Sequence, residues 1–300
     1  MTPLHRIEAA AARAALRLLR ALGPVAASNL GGAVARAIGP WLPVSRVADA
    51  NLRLALPDLD RAARRRILRG VWDNLGRTAA ELPHLPALRP TASGPGWELV
   101  GAEYLHPLLP PGIPAIMFSG HIGNWEALPL AAAAAGLPFP SMYRTIENPA
   151  IDAMLLDLRR RATGYDLGMF PKGPSGAKQA MKHLRAGGRL GMLMDQKMND
   201  GIPARFFGHP AMTAPALAVL ALHLRCPVIP GWVERLGPAR FRVTCEPPLP
   251  LPDTGDRQAD TAALTQAVND RLEAWIRTRP ETWLWLHRRW PKDAAPSKSG

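Results

Sequence analysis

Cysteine is scarce in this sequence, with only Cys226 and Cys245 among 300 residues. A small secreted fold stapled by disulfides needs more cysteines than this, and no C-x-x-C pair, the usual spacing of zinc and redox sites, is present. Both cysteines stand in apolar, strand-like surroundings. We therefore predict that they are reduced core residues of a cytosolic protein, and we expect no metal site.

The sequence also has no long uninterrupted apolar run. In the amino-terminal region the longest stretch without a charged residue is Ala21 to Ala35, which is interrupted by Pro24 and by Gly31-Gly32. The stretch from Phe206 to Leu224 lacks Asp, Glu, Lys and Arg but contains Pro215. Because a membrane-spanning helix needs about 20 consecutive apolar residues, neither stretch predicts a span, and the second favours a core helix.

Two common signatures of chemistry are missing as well. G-x-S-x-G, the turn that presents a catalytic serine, does not occur, so an attacking nucleophile would have to come from the substrate. The segment Lys172 to Lys178 contains two glycines but does not match the P-loop pattern G-x4-G-K-[ST]. A nucleotide site is therefore not predicted.

Acidic residues are outnumbered by basic ones, 24 to 37, which gives a formal net charge of +13. This excess favours an anionic partner, which on charge alone could be a nucleic acid, an anionic lipid or an acidic carrier protein. The imbalance is strongest at the amino terminus, where Glu8 is the only acid up to Val47. The pattern from Arg6 to Leu22 predicts an amphipathic helix, and residues 1–45 are predicted to associate with the membrane, with an ordinary surface helix as the alternative.

The rest of the chain predicts an α/β fold. Hydrophobic residues make up 47% of the sequence, enough for a sizeable core, and from Trp97 onward apolar strand-like runs alternate with helical patterns. That order is typical of a mostly parallel central sheet flanked by helices. We predict one domain over residues 46–292, preceded by the amino-terminal helix and followed by a disordered tail over 293–300.

One short stretch carries the most chemistry. The run Ile113 to Phe118 predicts a buried strand, and a helix is predicted from Asn124 to Ala135, so that His121 stands at the turn between them. Glu126 follows five residues later and is predicted to reach back and hold the imidazole as a general base. The alternative is that His121 merely caps the helix and Glu126 is a solvated acid in its first turn.

The stretch S-G-H-I-G-N-W-E around His121 resembles the H-x4-[DE] motif of membrane acyltransferases, in the glutamate form of the late lipid A acyltransferases. The ending W-x-W-x-H-R-R-W, from Trp283 to Trp290, resembles the carboxyl-terminal signature of the same family. Weaker likenesses run in the family's order from Asn51 onward. The resemblance implies a single glycerolipid-acyltransferase-like domain with His121 and Glu126 as the catalytic residues.

The resemblance also implies which residues contact substrate. The pattern Y-R-x3-N-P…D…R indicates Arg144 and Arg159 as groups that bind substrate or stabilise an oxyanion, although Arg159 also suits the end of a helix. Asp195-Gln196 matches the family's D-Q pair, which would orient an arginine or the sugar acceptor, with a turn-forming Asp195 as the alternative.

The carboxyl-terminal signature adds two arginines to the predicted site. Period-two spacing of Trp283, Trp285 and His287 predicts a strand. On such a strand Arg288 and Arg289 would be free to bind phosphate or to stack on indole rings.

The implied reaction moves a fatty acyl chain from a thioester, expected on acyl carrier protein, to a hydroxyl of a lipid A precursor. It needs no cofactor besides this co-substrate, no nucleic acid, and a place on the cytoplasmic face of the inner membrane. An acyltransferase with a glycerophospholipid or another glycolipid as acceptor is the first alternative. A basic module that binds membrane or nucleic acid is the second, and it predicts no role for His121.

Overall fold

A computed structural model of the chain describes residues 2–143, 145–166, 168–171, 173–291 and 294. The α-helices are α1 (Pro3–Leu22), α2 (Pro24–Ile38), α3 (Ser45–Ala55), α4 (Arg61–Glu81), α5 (Ala127–Ala134), α6 (Pro149–Thr163), α7 (Pro174–Arg185), α8 (Ala216–Leu224) and α9 (Arg257–Thr278). The strands are β1 (Gly96–Val100), β2 (Ala115–Ser119), β3 (Met142–Tyr143), β4 (Phe170–Pro171), β5 (Arg189–Leu193), β6 (Lys197–Phe206), β7 (His209–Thr213), β8 (Val228–Gly237) and β9 (Arg240–Cys245).

The central sheet has the strand order β1-β9-β8-β2-β5. Strand β1 runs parallel to β9, and β2 runs parallel to both β8 and β5, whereas β8 and β9 form an antiparallel pair. The prediction of a mostly parallel sheet in one α/β domain is confirmed. Strand β2 lies inside the sheet, which explains its apolar sequence: Ile116 and Phe118 are both buried.

Pairing between β2 and β5 sets the level at which the two strands end. Ser119 is opposite Leu193, and the Met194 amide donates to the Ser119 carbonyl at 2.8 Å. The residues that follow each strand, His121 and Asp195, therefore leave the sheet side by side. In open α/β sheets this carboxyl edge is where ligands bind.

The amino-terminal helices form a hairpin around Gly23, whose φ is +76°. Helix α1 is the predicted amphipathic helix, capped by Thr2, and Ala9 is its one buried residue within the described chain. Helix α2 packs closely along α4, with Gly31 against Gly76. Among the described residues no helix is both long and apolar enough to cross a membrane.

The segment from Trp283 to Trp290, which carries the carboxyl-terminal family signature, does not form the predicted strand. Trp283 makes a single antiparallel bridge to Ile122, and the chain then turns. Trp283, Trp285 and Trp290 instead pack with Phe206 and Phe207 in one aromatic cluster. Burial of indole rings outweighs strand pairing here, so the period-two spacing was a misleading signal.

One further segment differs from what the sequence predicts, and another lies almost wholly outside the described residues. Strands β6 and β7 form an antiparallel hairpin that was not predicted, because Gly201 and Pro203 disguise the first strand. The predicted tail over 293–300 lies outside the described residues, apart from Ala294.

The contact between α2 and α4 gives a test with a clear sign. A Cβ atom on Gly31 would overlap the Gly76 carbonyl oxygen and the Ala80 methyl group. In an open helix Gly→Ala stabilises by about 1 kcal/mol. Here we expect Gly31→Ala to lower the free energy of unfolding by about 1–3 kcal/mol, because the backbone of α4 has to move. Urea unfolding measures this difference.

The control for that variant is Gly237→Ala. The nearest atom to a Cβ on Gly237 is the Arg240 Cβ at 3.9 Å, which is an ordinary contact. We expect this variant to stay within about 0.5 kcal/mol of the wild type. A stabilised Gly31→Ala protein would contradict the close packing of α2 on α4.

Candidate active site

His121 sits on a loop that is held from two sides. It follows β2 through the turn at Gly120, and the Leu284 amide donates to the His121 carbonyl at 3.1 Å. The next residues are also fastened to the carboxyl-terminal segment, since the Gly123 amide donates to the Thr282 carbonyl at 3.0 Å. The His121 side chain is 16% exposed, so the imidazole is held by the protein while one part of it reaches open space.

The imidazole is oriented by Asp195. His121 Nδ1 lies 2.8 Å from Asp195 Oδ1, and the His121 backbone amide donates to Asp195 Oδ2 at 2.9 Å. The prediction that Glu126 holds the ring is therefore wrong, and so is the prediction that Asp195 orients an arginine or the acceptor. The cause is topological: parallel pairing of β2 with β5 brings Asp195 beside His121, whereas Glu126 is turned to another partner.

Asp195 is a fully buried carboxylate with three donors. Besides the two groups of His121, the Trp283 indole donates to Oδ2 at 2.8 Å. Burial on its own would raise the pKa of the Asp195 carboxyl, but the charge and hydrogen bonds of His121, together with His287, hold that pKa well below its usual range. Asp195 is therefore ionised at neutral pH and acts only as an acceptor.

An ionised Asp195 fixes the tautomer of the imidazole. Because the carboxylate can only accept, the proton of a neutral His121 ring belongs on Nδ1, and Nε2 is left with its lone pair. Within the described residues no protein group is hydrogen-bonded to Nε2. The ring is thus prepared to take a proton from a molecule bound in front of it.

Glu126 pairs with Arg159 instead of the imidazole. Arg159 donates from Nε to Oε2 at 2.8 Å and from Nη2 to Oε1 at 2.6 Å, which is the two-pronged geometry typical of guanidinium and carboxylate. Burial lowers the pKa of Arg159, but the charge and hydrogen bonds of Glu126, together with the charges of Asp152 and Tyr143, outweigh burial and the pKa is raised. The structure therefore brings two of the predicted residues together in a pair that sequence spacing did not suggest.

A buried network behind this loop was missed by the sequence analysis. Asn124 donates to Glu81 at 2.8 Å and accepts from the Glu126 amide at 3.2 Å. Glu81 is fully buried and also accepts from Ser28 at 2.6 Å and from Arg235. These contacts join α2, α4 and β8 to the loop that carries His121. No local sequence pattern predicts them, because the partners are far apart in sequence.

The other predicted site residues are distributed unevenly. Gln196 lines the cavity described below, Arg288 is exposed, and Arg144 lies outside the described residues. Arg289 was predicted to be free for substrate, and this is wrong. It is fully buried, with its guanidinium carbon 4.9 Å from the centre of the Phe206 ring.

The partners of Arg289 explain its position. It donates to the Met212 carbonyl at 3.0 Å and to the Thr213 hydroxyl at 2.7 Å. Burial lowers the pKa of this guanidinium to about 10, which still leaves it charged at neutral pH. Arg289 therefore fastens the carboxyl-terminal segment to β7 and does not face a ligand.

A cavity of about 720 Å³ opens beside the imidazole. Its lining includes His121, Glu126 and Arg159 at the site, and every strand of the central sheet contributes an apolar side chain to it. These strand residues are Leu99, Val243, Ile229, Met117 and Leu193, which the strand register places on the same face of the sheet. Helices α5 and α6 cover the opposite side, so that a long, apolar space runs across one face of the sheet.

The cysteines differ in their surroundings. Cys226 is buried in the core as predicted, whereas Cys245 lines the cavity. Both are free thiols, and burial raises the pKa of each to about 11, so both are protonated at neutral pH. In the described part of the chain no three His, Cys, Asp or Glu side chains come together as metal ligands would.

The low pKa of Asp195 predicts how stability depends on pH. Because that pKa is lower in the folded protein than in the unfolded chain, where it is about 3.9, its contribution is complete above about pH 5 and is lost as the pH falls toward the folded value. We expect Asp195→Asn to be less stable at neutral pH by about 1–3 kcal/mol. The difference from wild type should shrink below about pH 4.

Urea unfolding of both proteins between about pH 3 and 7 measures this effect. Other carboxylates titrate in both proteins and cancel in the difference. A difference that stays constant over the whole range would show that Asp195 is not ionised against His121 in the folded state.

Comparisons with known proteins show which proteins the chain is similar to. The chain is 24% identical to a lipid A biosynthesis acyltransferase of Haemophilus influenzae over 194 residues, which are 63% of this chain and 57% of that protein. It is 23% identical to a phosphatidylinositol mannoside acyltransferase of Mycobacterium tuberculosis over 232 residues, 75% of this chain and 71% of the relative. A protein of the same description from Mycolicibacterium smegmatis is 22% identical over 236 residues, 77% of this chain and 75% of the relative.

The match to the Haemophilus protein thus spans little more than half of that relative's length. The family comparison reaches further. The description of the matching family is "Bacterial lipid A biosynthesis acyltransferase". The family model covers residues 4–292, from the first turn of α1 to just beyond Trp290. The chain belongs to the bacterial lipid A biosynthesis acyltransferase family.

Proposed function

We propose that the protein transfers a fatty acyl chain from an acyl thioester, carried by acyl carrier protein, to a hydroxyl of a lipid A precursor. The observation that carries this proposal is the Asp195-held imidazole of His121 on the wall of an apolar cavity of about 720 Å³. Acyl transfer to a lipid alcohol needs a base beside a dry space for a chain, and this site combines the two. Family membership supports the same reaction.

His121 is the general base in this mechanism. Its Nε2 takes the proton of the acceptor hydroxyl as the oxygen attacks the thioester carbonyl carbon. The tetrahedral intermediate then collapses, the carbon–sulfur bond breaks, and the leaving thiolate takes the proton from the imidazolium. Asp195 stabilises the imidazolium between these steps, since it is an ionised carboxylate 2.8 Å from Nδ1.

Glu126 and Arg159 form a second unit of the site. Glu126 uses both oxygens to fix the guanidinium plane, and these contacts take only two of the five donors that an arginine has. The other donors of Arg159 are proposed to bind the developing oxyanion or a phosphate of the acceptor. Glu126 thus positions Arg159, and it acts on the reaction through this arginine and not through the imidazole.

The cavity is proposed to hold the donor acyl chain. Apolar side chains from all five strands of the central sheet line the cavity, so an acyl chain would have apolar contacts along its length. Helices α5 and α6 would shield this acyl chain from water. His121 then lies where a thioester carbonyl at the end of the chain would be. Arg144, whose role follows from the family resemblance alone, stays a proposed substrate contact.

Charge supports the proposed partners and location. A net charge of +13 suits three anionic surfaces, namely an acidic carrier protein, the phosphates of lipid A and the inner leaflet of the membrane. The cytoplasmic face of the inner membrane would bring the three together. The amino-terminal region, with Glu8 as its only acid up to Val47, is the proposed contact with the bilayer.

A different glycolipid acceptor is the second candidate. Relatives described as phosphatidylinositol mannoside acyltransferases match about three quarters of the chain, at nearly the identity of the lipid A relative. Both kinds of acceptor present a sugar hydroxyl or a lipid-linked hydroxyl near phosphate, so the described site suits either. The alternative hypothesis, a basic module that binds membrane or nucleic acid, does not explain why a buried Asp195 holds the His121 imidazole.

Substitution of each acid separates the two units. We expect His121→Ala and Asp195→Asn to lower kcat by about 10²–10⁴-fold, because the first removes the base and the second removes the charge that sets its tautomer. Glu126→Gln should lower kcat less than these two variants, because it loosens Arg159 but leaves the imidazole held, and it should raise KM where Arg159 binds a phosphate of the acceptor. Transfer from acyl carrier protein to a lipid A precursor, followed by mass spectrometry, measures both constants.

Arg257→Gln, at an exposed position in the first turn of α9 and outside the cavity lining, is the control and should keep wild-type kinetics. Thermal unfolding of each variant checks that it is folded. Undiminished turnover in Asp195→Asn together with lost turnover in Glu126→Gln would reverse the assignment of the two carboxylates.

The acceptor is tested in cells. We expect deletion of the gene in its source bacterium to remove one secondary acyl chain from lipid A, and the chromosomal His121→Ala variant to give the same change. Mass spectrometry of extracted lipid A shows both the missing chain and its length. Intact lipid A with an altered glycosylated phospholipid would instead identify the second candidate acceptor.

A further inference from the structure

A second apolar space lies apart from the active-site cavity. It is a groove of about 720 Å³ between α1, α2, α4 and α6, and its lining contains only alanine, glycine, aliphatic side chains, methionine and Trp72. Helix α6 separates the two spaces, and Leu155 contributes to the lining of both. No step of the proposed reaction uses this groove.

Helix α1 is attached to neighbouring elements near both of its ends. Near its start, the Asn148 side chain donates to the His5 carbonyl at 2.9 Å and to the Glu8 carboxylate at 2.8 Å. Near its end, His84 Nε2 lies 3.0 Å from the Leu19 carbonyl. Between these contacts apolar residues of α1 line a gap of a kind that protein interiors normally close.

The rim of the groove is apolar and exposed as well. Leu18 is 60% exposed and Ile38 56% exposed, and both line the groove. Trp41, just beyond α2, is 87% exposed. Tryptophan is enriched where a membrane meets water, so an exposed indole here suits contact with lipid. A contiguous apolar surface of this kind marks an interaction site.

The charges around the groove indicate the chemistry of its occupant. Helix α1 carries Arg6, Arg13, Arg17 and Arg20, all exposed, and within the described chain none of the four forms an ion pair. The one carboxylate of α1, Glu8, is already bound by Asn148. An occupant that offers an apolar chain to the groove and an anionic group to these arginines matches both features.

From this combination we infer that the groove binds one acyl chain of an anionic phospholipid taken from the bilayer, with the lipid headgroup against the arginines of α1. The chain's own last residues are a poor alternative, because 292–300 contain no aliphatic side chain larger than alanine or proline and no aromatic one. The bound lipid would complete the packing between α1 and the rest of the protein. This inference does not depend on the proposed transfer reaction.

Two neighbouring alanines give a matched test. Ala15 lines the groove, and Ala14, on the same helix, does not. The full chain, stripped of lipid in detergent, is titrated with phosphatidylglycerol and the bound lipid is counted by native mass spectrometry. We expect one phosphatidylglycerol per wild-type chain, at least about tenfold weaker binding to Ala15→Phe, and unchanged binding to Ala14→Phe.

Two further arms test charge and independence from catalysis. Phosphatidylcholine should bind more weakly than phosphatidylglycerol, and the double variant Arg13→Glu, Arg17→Glu should lose this preference. His121→Ala should keep the lipid, so that loss of transfer and loss of the lipid remain separate results. Circular dichroism and thermal unfolding show whether Ala15→Phe is folded.

Several outcomes would overturn the inference. Equal retention of lipid by Ala15→Phe and wild type would place the lipid elsewhere on the protein. Binding of a lipid A precursor in place of phosphatidylglycerol would make the groove part of the acceptor site. A dimer that excludes lipid, seen by light scattering, would identify a second copy of the chain as the occupant.

Discussion

Parallel pairing of β2 with β5 is the constraint on which the active site depends. The register that places Ser119 opposite Leu193 also brings Asp195 beside His121, although 74 residues separate them in sequence. A slip of one residue along this pair would turn the side chains of β5 to the other face and remove the carboxylate from the imidazole. The reactive geometry is thus a consequence of sheet register more than of the loop that carries the histidine.

Burial of Asp195 makes two motifs depend on each other, the one around His121 and the one from Trp283 to Trp290. A fully buried carboxylate costs several kcal/mol unless donors surround it, and here they are two groups of His121 and the Trp283 indole. The same tryptophan bridges to Ile122. The His121 loop and the segment from Trp283 to Trp290 therefore form one structure, in which this segment supports the proposed base.

Sequence reasoning succeeded where local physics dominates. Strand β2 and helix α1 follow from an apolar run and an amphipathic pattern, each contained in one short stretch of sequence. It failed where distant segments meet. The partner of His121, the burial of Arg289 and the Glu81 network are all set by contacts across the sheet, and nothing in a single sequence specifies them.

The error over Glu126 is instructive about the motif itself. Five residues after the histidine is close enough in sequence to suggest contact, but α5 begins at Ala127, and Glu126 stands at the point where the chain enters that helix. There it meets Arg159 from α6, in a largely buried pair that would be expensive to separate because either charge alone would be left in an apolar cavity. The motif thus contains one residue for each unit of the site.

In the proposed mechanism His121 belongs to the pair that moves a proton, and Glu126 belongs to the pair that presents positive charge. Separate carboxylates allow both demands to be met at one pH: Asp195 stabilises an imidazolium, while Glu126 keeps a guanidinium fixed without drawing on the basicity of the ring. A single carboxylate shared by His121 and Arg159 would be divided between two cations, and it would hold neither group in one orientation as the reaction proceeds.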